Sequence, residues 1–346
     1  MATIKDVARE AGVSIATVSR VFNASAVVSE PTQRAVREVA ARLNYWPNGA
    51  ARSLITNRTQ AIGVLLPDLF GEFYSEILRG MDCTARKAGL HVLVSSSHAD
   101  AEEVLAALRA LRGRIDGLIV MAPDLDARDA VQSAATKIPL VLIDAGPGVE
   151  GCNTLSIANT EGAHAVVRHL IRLGHRRIAV ITGPPRNVDA QQRLAGYHAA
   201  LREAGLPRVT ELEIAGDFTE PSGYEAGGRL LALDPQPSAV FASNDYMAIG
   251  VMGALSDSRV RVPEDVAVAG FDDIAMSRYL NPPLTTVHVD AYRLGERAVE
   301  CLVRIDSEAP EQWHREVLPT TLVVRGSCGS SSAAHPRAGA GRQRGR

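Results

Sequence analysis

From residue 61 onward the chain keeps alternating between two textures. Short runs rich in Val and Ile, IGVLL at 62–66, HVLV at 91–94, GLIV at 117–120 and LVLI at 140–143, are separated by stretches of helical periodicity such as 74–88 and 101–112. Runs that are apolar throughout, rather than at every second position, fit strands covered on both faces, which is how parallel sheets are built. The pattern then repeats: IAVIT at 178–182, a helix over 190–204, a strand near 212–214, a helix over 224–231, AVFAS at 239–243, a helix over 246–255 and VAVAGF at 266–271. Two α/β lobes of similar size are implied. Ligands of such sheets sit beyond the carboxyl ends of the strands, here in a cleft between the lobes.

The first sixty residues follow a different grammar. In TIKDVAREAGVSIATVSRVFN, residues 3–23, Ile4, Val7, Ala8 and Ala11 share one helix face, and Thr3 with Asp6 three residues later forms a capping-box start. Gly12 permits a tight turn, Val13 plugs the corner, and Ser14 caps a second helix whose Val18, Val21 and Phe22 face inward. Its outer face, with Ile15, Ala16, Ser19 and Arg20, is then free to enter a DNA major groove. The alternative reading is a plain helical hairpin, in which Ile15 belongs to the core. Charge decides for DNA: this segment holds eight Lys or Arg against four Asp or Glu, while the chain as a whole is at −2, so a basic head precedes an acidic body. Ser29 and Pro31 start a third helix, with Thr32, Val36, Val39 and Leu43 on one face and Tyr45 beside it; Pro47 ends it. The stretch 48–57, NGAARSLITN, is weakly helical and too short to be stable alone, so it either folds on contact with DNA or serves as a linker.

Other classes find little support. Cys83, Cys152, Cys301 and Cys328 show neither CxxC spacing nor His partners, so a zinc site or a disulfide framework is not expected, and no metal or cofactor is called for. No apolar run reaches membrane-spanning length and the N-terminus carries no export signal, which places the protein in the cytoplasm. No GxGxxG follows the first body strand, no GxxxxGK[ST] occurs, and no serine sits in a nucleophile elbow, so no enzyme is expected. The end, 326–346, is Gly, Ser, Ala and Arg, and is expected to be a disordered tail.

With DVAREAGVSIATVSRVFN and LNYWPN in the head, and PLVLID, RLAGY, SNDYMAIG, AGFDD and PPLTTV in the body, the chain resembles the lactose-repressor (LacI/GalR) family of bacterial transcription regulators over nearly its full length. The resemblance implies an all-α helix-turn-helix head followed by an α/β body of two parallel-sheet lobes, similar to periplasmic sugar-binding proteins. It divides the chain into a DNA-binding head, 1–46, a hinge helix and linker, 47–60, a body for effector binding and dimerisation, 61–325, and the tail, 326–346. The chain would cross between lobes near Ala158, Val289 and Leu318, giving lobes of about 61–158 with 289–318 and 159–288 with 319–325.

The resemblance also implies a homodimer on a near-palindromic operator, acting as a repressor whose DNA affinity follows a small ligand bound between the lobes. Ile15 and Ala16 would touch base edges or thymine methyls, Arg20 would donate to a guanine, and Ser14, Thr17 and Asn23 would contact phosphate or orient the helix. Ala51 and Leu54 fall where the family's hinge helix meets the minor groove, Leu54 as an apolar wedge. Asp144, Arg193, Asn244 and Asp272 would line the cleft, with Phe73, Tyr74 and Phe218 as its walls. Such groups suit a sugar, whose hydroxyls both donate and accept. A corepressor such as a purine base is the alternative. The tail has no leucine-rich tetramerising helix, which favours a dimer.

Overall fold

The computed structural model describes residues 2–23, 28–46, 58–97, 100–121, 123, 138–146, 149, 151–305 and 313–329, but not the side chains of Asn23 and Ala101. The expected hinge helix, with Ala51 and Leu54, and residues 330–346 of the expected tail lie outside the described residues; the start of that tail is not disordered, because Gly326–Cys328 form a 3-10 turn that buries Ser327 and Cys328 against the body.

The head is built from α1 (Ile4–Glu10), α2 (Ile15–Asn23) and α3 (Glu30–Arg42). The Asp6 carboxylate accepts hydrogen bonds from the Thr3 N–H at 3.0 Å and the Thr3 hydroxyl at 2.7 Å, completing a capping box at the start of α1. Gly12 takes a positive φ of 64°, and Ser14 Oγ accepts from the Thr17 N–H at 3.0 Å to cap α2. Val7, Ala8, Val18, Val21, Val36, Val39 and Ala40 form the small core, with Val13, Phe22, Leu43 and Tyr45 packed against it. Arg42 reaches across to Glu10 at 2.5 Å, tying α3 to α1.

The first lobe holds a parallel sheet of β1 (Ala61–Leu66), β2 (His91–Ser96), β3 (Gly117–Met121), β4 (Leu140–Ile143), β5 (Asn153–Ile157) and β11 (Arg315–Leu318), in the order β11-β5-β4-β3-β1-β2. The helices α4 (Glu72–Lys87) and α5 (Ala101–Leu111) connect its early strands. In the second lobe β6 (Ile178–Thr182), β7 (Glu213–Ala215), β8 (Ala239–Ala242) and β9 (Ala267–Ala269) run parallel in the order β7-β6-β8-β9. They are joined by α7 (Val188–Glu203), α8 (Glu220–Leu231) and α9 (Asp245–Asp257), and preceded by α6 (Asn159–Arg172).

The chain leaves the first sheet after β5 and enters α6. It returns after β10 (Thr286–Val289) through α10 (Ala291–Ile305), and leaves again between β11 and β12 (Thr320–Val323), where β12 pairs antiparallel with β10. One continuous core runs through both lobes, from Ile62, Ile77 and Met81 on one side to Tyr197, Phe241 and Phe271 on the other.

One run expected to be buried is not. HVLV forms β2 at the edge of its sheet, with Leu93 37% and Val94 43% exposed, because an edge strand has a neighbour on one side only. The helix expected from 224 begins at Glu220, capped by Thr219 with Pro221 in its first turn. The sequence reading named none of the elements around the expected crossing points, β5, α6, β10, α10, β11 and β12.

Candidate functional site

The connections at the carboxyl ends of both sheets converge on a cavity of about 400 Å³. Pro67, Asp68, Phe70, Phe73 and Tyr74 follow β1, and Met121 ends β3; from the other lobe come Asn187, Asp189 and Arg193 after β6, Asp217 and Phe218 after β7, Asn244 after β8 and Asp272 after β9. Parallel strands point all these connections the same way, which is why residues as far apart in the chain as Pro67 and Asp272 share one space.

Arg193 forms the floor and is almost fully buried. Its Nε donates to Asn159 Oδ1 at 2.8 Å, its Nη1 donates to the Ser243 carbonyl at 2.6 Å, and Nη1 lies 3.1 Å from Asp272 Oδ1, an ion pair without hydrogen-bond alignment. The guanidinium carbon stands 3.8 Å over the Phe271 ring. A planar group held by three contacts at two of its nitrogens and by one face has a single orientation. Burial raises the Asp272 carboxyl to about 6, with Arg193 pulling the other way. Asp189 accepts from Asn159 Nδ2 at 2.9 Å, so Asn159 links it to the arginine.

The predicted residues do not all stand on the surface of the cavity. Asp144 lies beneath it rather than along it: its side chain is fully buried, Oδ1 accepts from the Ile157 N–H at 3.2 Å, Oδ2 has no hydrogen-bond partner among the described residues, and burial together with Asp189 pushes its pKa well above the ordinary carboxylate value. Its backbone takes a positive φ directly after β4, which turns the side chain inward. Asn244 lines the cavity, but its amide also serves the fold, capping α9 by accepting from the Met247 N–H at 2.9 Å and donating to the Phe218 carbonyl at 2.9 Å. Phe73 and Tyr74 meet edge to face at 5.6 Å on one wall, and burial raises the Tyr74 phenol. Phe218 stands on the other, with a positive φ.

The sequence reading missed Asp189, Asn187, Asp68 and Tyr246. The acidic first turns of α7 and α9 were the available signal, since Asp189 and Asp245 sit where a helix N-terminus favours a carboxylate.

On the head, α2 presents Ile15, 44% exposed, with Ala16 and Arg20 also exposed, so Ile15 is not part of the core. Ser14 and Thr17 flank Ile15 and Ala16, their hydroxyls 2.9 Å apart. Asn23 is the last residue of α2. Among the described residues no helix is long and apolar enough to cross a membrane, and no cluster of potential metal ligands occurs.

Residues 3–48 match the model of the bacterial regulatory proteins of the lacI family, and residues 167–328 match that of a periplasmic binding protein-like domain. The chain is 38% identical over 330 residues to the ribose operon repressor of Escherichia coli strain K12, covering 94% of this chain and 100% of that protein. A crystal structure of the Lac repressor dimer bound to operator and the anti-inducer ONPF is similar at a TM-score of 0.87 and 34% identity, covering 94% of this chain and 99% of that one. A complex of the transcriptional regulator CelR with cellobiose is similar at a TM-score of 0.72 and 33% identity, covering 94% and 100%.

Proposed function

We infer, from the premise that this chain belongs to the lacI family of bacterial regulatory proteins and is a DNA-binding transcriptional repressor controlled by a small molecule, that the small molecule is a sugar held in the cleft between the lobes. The observation that carries this is the cavity floor, where Arg193, Asp189 and Asp272 converge between the aromatic walls of Phe73, Tyr74 and Phe218. Carboxylates accept from hydroxyls, a fixed guanidinium donates to them, and aromatic faces cover the C–H side of a sugar ring. The cellobiose complex of a similar regulator supports the same ligand class. Asn244 shapes the site by holding Phe218 as well as lining it, and Asp144 acts from behind the floor. Isothermal calorimetry with a panel of unmodified sugars and purine bases tests this. A sugar that binds and weakens operator affinity supports it, whereas a purine that strengthens operator affinity replaces it with the corepressor reading.

At the DNA, two heads of a homodimer occupy successive major grooves of a near-palindromic operator. Ile15, Ala16 and Arg20 meet base edges, while Ser14, Thr17 and Asn23 contact phosphate or set the helix. Residues 1–46 act as the head, 47–60 as a hinge with Ala51 and Leu54 in the minor groove, and 61–325 as the sensing and pairing body, to which the buried Ser327 and Cys328 also belong. The exposed Leu93, Val94, Met276 and Tyr279 offer apolar surface for a second copy. The protein works in the cytoplasm, on the chromosome. Selection of sites from a random duplex pool at moderate salt tests the DNA reading. One recovered near-palindrome with half-sites about one helical turn apart supports it, and no motif under any effector condition overturns it.

A further inference from the structure

Asp272 and Asp273 are consecutive non-glycine residues with positive φ, 105° and 56°. Backbone of this kind persists only where its surroundings hold it. The Asp272 side chain turns into the cleft toward Arg193, and the Asp273 side chain turns away from it into a separate network. There Asp273 Oδ1 accepts from Arg325 Nη2 at 2.6 Å and from the Ser277 hydroxyl at 3.1 Å, and Oδ2 lies 3.1 Å from His288 Nδ1. Arg325 in turn donates through Nη1 to the Leu284 carbonyl at 2.8 Å and through its backbone N–H to Thr285 Oγ1 at 2.8 Å. The Asp272 backbone is pinned to the crossing strand β10, donating to the Val287 carbonyl at 2.8 Å and accepting from the Val289 N–H at 3.3 Å.

We propose that Arg325 and Asp273 are positioning residues for effector binding: outside the cleft, they lock the strained two-residue turn that presents Asp272 to Arg193 and to the ligand. Arg325 follows β12, so the last crossing of the chain fixes a cleft carboxylate that it does not touch. The ligand consequence rests on the sugar reading above, whereas the positioning itself has a readout that needs no ligand.

The test follows the Asp272 carboxyl by carbon-13 NMR in the full, ligand-free chain, its signal identified by its loss in Asp272→Asn. Arg193 from α7 is the charged group that acts on it, and it acts in turn on Asp245 of α9 and on Asp144. Because burial is the larger cause of its high midpoint, about 6, release of the turn lets in water. The midpoint in Asp273→Asn and Arg325→Gln is expected to fall by about one unit or more, with Arg325→Lys in between. Asn keeps the backbone preference at 273 and removes only the charge. A midpoint that stays at about 6 or climbs in the variants that fold overturns the proposal.

D-ribose binding by calorimetry adds a second arm. Asp273→Asn is expected to weaken it roughly tenfold in the wild-type background and to have no further effect on top of Asp272→Asn. Additive losses would mean that Asp273 acts by another route. Should D-ribose bind no form, the ligand assignment falls and the titration still decides the positioning.

Discussion

The phenol oxygen of Tyr246, at the start of α9 in the second lobe, accepts a 2.7 Å hydrogen bond from the backbone N–H of Glu72, the first residue of α4 in the first lobe. Glu72 also accepts from the Met276 N–H at 3.3 Å, and the Val188 N–H donates to the Pro123 carbonyl at 2.8 Å across the same cleft. These bonds join the lobes at the cavity itself, so they are available to report on how the lobes meet. Replacing Tyr246 by Phe removes the acceptor and keeps the ring. A neutral hydrogen bond of this kind contributes about 1 kcal/mol, so effector affinity is expected to drop roughly fivefold with the thermal midpoint little changed. Calorimetry on the variant decides, and unchanged affinity would show that the bond does not bias closure.

Arg193 serves Asn159, Ser243 and Asp272 at once while its guanidinium carbon stands 3.8 Å over the Phe271 ring. A lysine can reach one of these partners but not hold the plane. Arg193→Lys is therefore expected to weaken the effector by about a hundredfold or more, on the order of 3 kcal/mol, through lost donors and a poorly compensated Asp272. Operator affinity without effector should stay near wild type, as measured by fluorescence anisotropy. Loss of both activities together would point to a folding defect instead.

The raised Asp272 carboxyl makes two pH predictions. In the folded chain it holds its proton up to about 6, above the ordinary carboxylate value of 3.8. Its contribution to stability is thus fully present below the unfolded value and is lost as pH rises through that window. A ligand whose hydroxyls donate to the carboxylate prefers the ionised form, so effector affinity should rise as pH climbs through about 6 and level off above it. Calorimetry from pH 5 to pH 8 (about three units spanning this window) reads the slope, and Asp272→Asn should flatten it. A profile that is already flat in the wild type would remove Asp272 from direct ligand contact.

How much of this was legible from the residues alone depends on the range of the interactions involved. IAVIT is β6 to the residue, because a continuous apolar run needs no knowledge of its neighbours to be recognised as buried. HVLV looks the same in one dimension yet forms the exposed edge strand β2, since edge or centre is set by the order of strands in the sheet. In the cleft, Arg193 was identifiable from its motif, but its partners Asn159 and Ser243 lie 34 and 50 residues away and only the fold brings them together. Asp144 was assigned to the right region and the wrong layer, because a positive φ after β4 turns the side chain under the floor. Such a backbone choice leaves no mark in periodicity.

The helices α4 and α10 cross at two glycines. A Cβ on Gly80 would stand 2.1 Å from the Tyr292 carbonyl oxygen, and one on Gly295 would stand 2.1 Å from that of Ile77. Both obstacles are backbone, which cannot rotate away, so the helices must separate. Gly80→Ala is expected to destabilise the chain by about 2 kcal/mol or more, despite the better helix propensity of alanine. Gly228, which has open space around it, is the control and should tolerate alanine. Urea unfolding of both variants measures the difference, and equal stability would mean that the helix pair has slack.

Arg20 stands exposed in the last turn of α2, on the same surface as Ile15 and Ala16. Arg34 is equally exposed on α3 and lies 3.6 Å from Glu30. Both carry one positive charge, so a purely electrostatic attachment to DNA would suffer alike from losing either. If Arg20 reads a guanine, Arg20→Ala instead costs about 1–3 kcal/mol at one base pair and relaxes selection there, while nonspecific affinity falls only a little. Arg34→Ala should leave the selected motif intact. Repeating the duplex selection with each variant separates the two cases. An unchanged motif for Arg20→Ala would shift base reading to Ile15 and Ala16 or to the shape of the DNA itself.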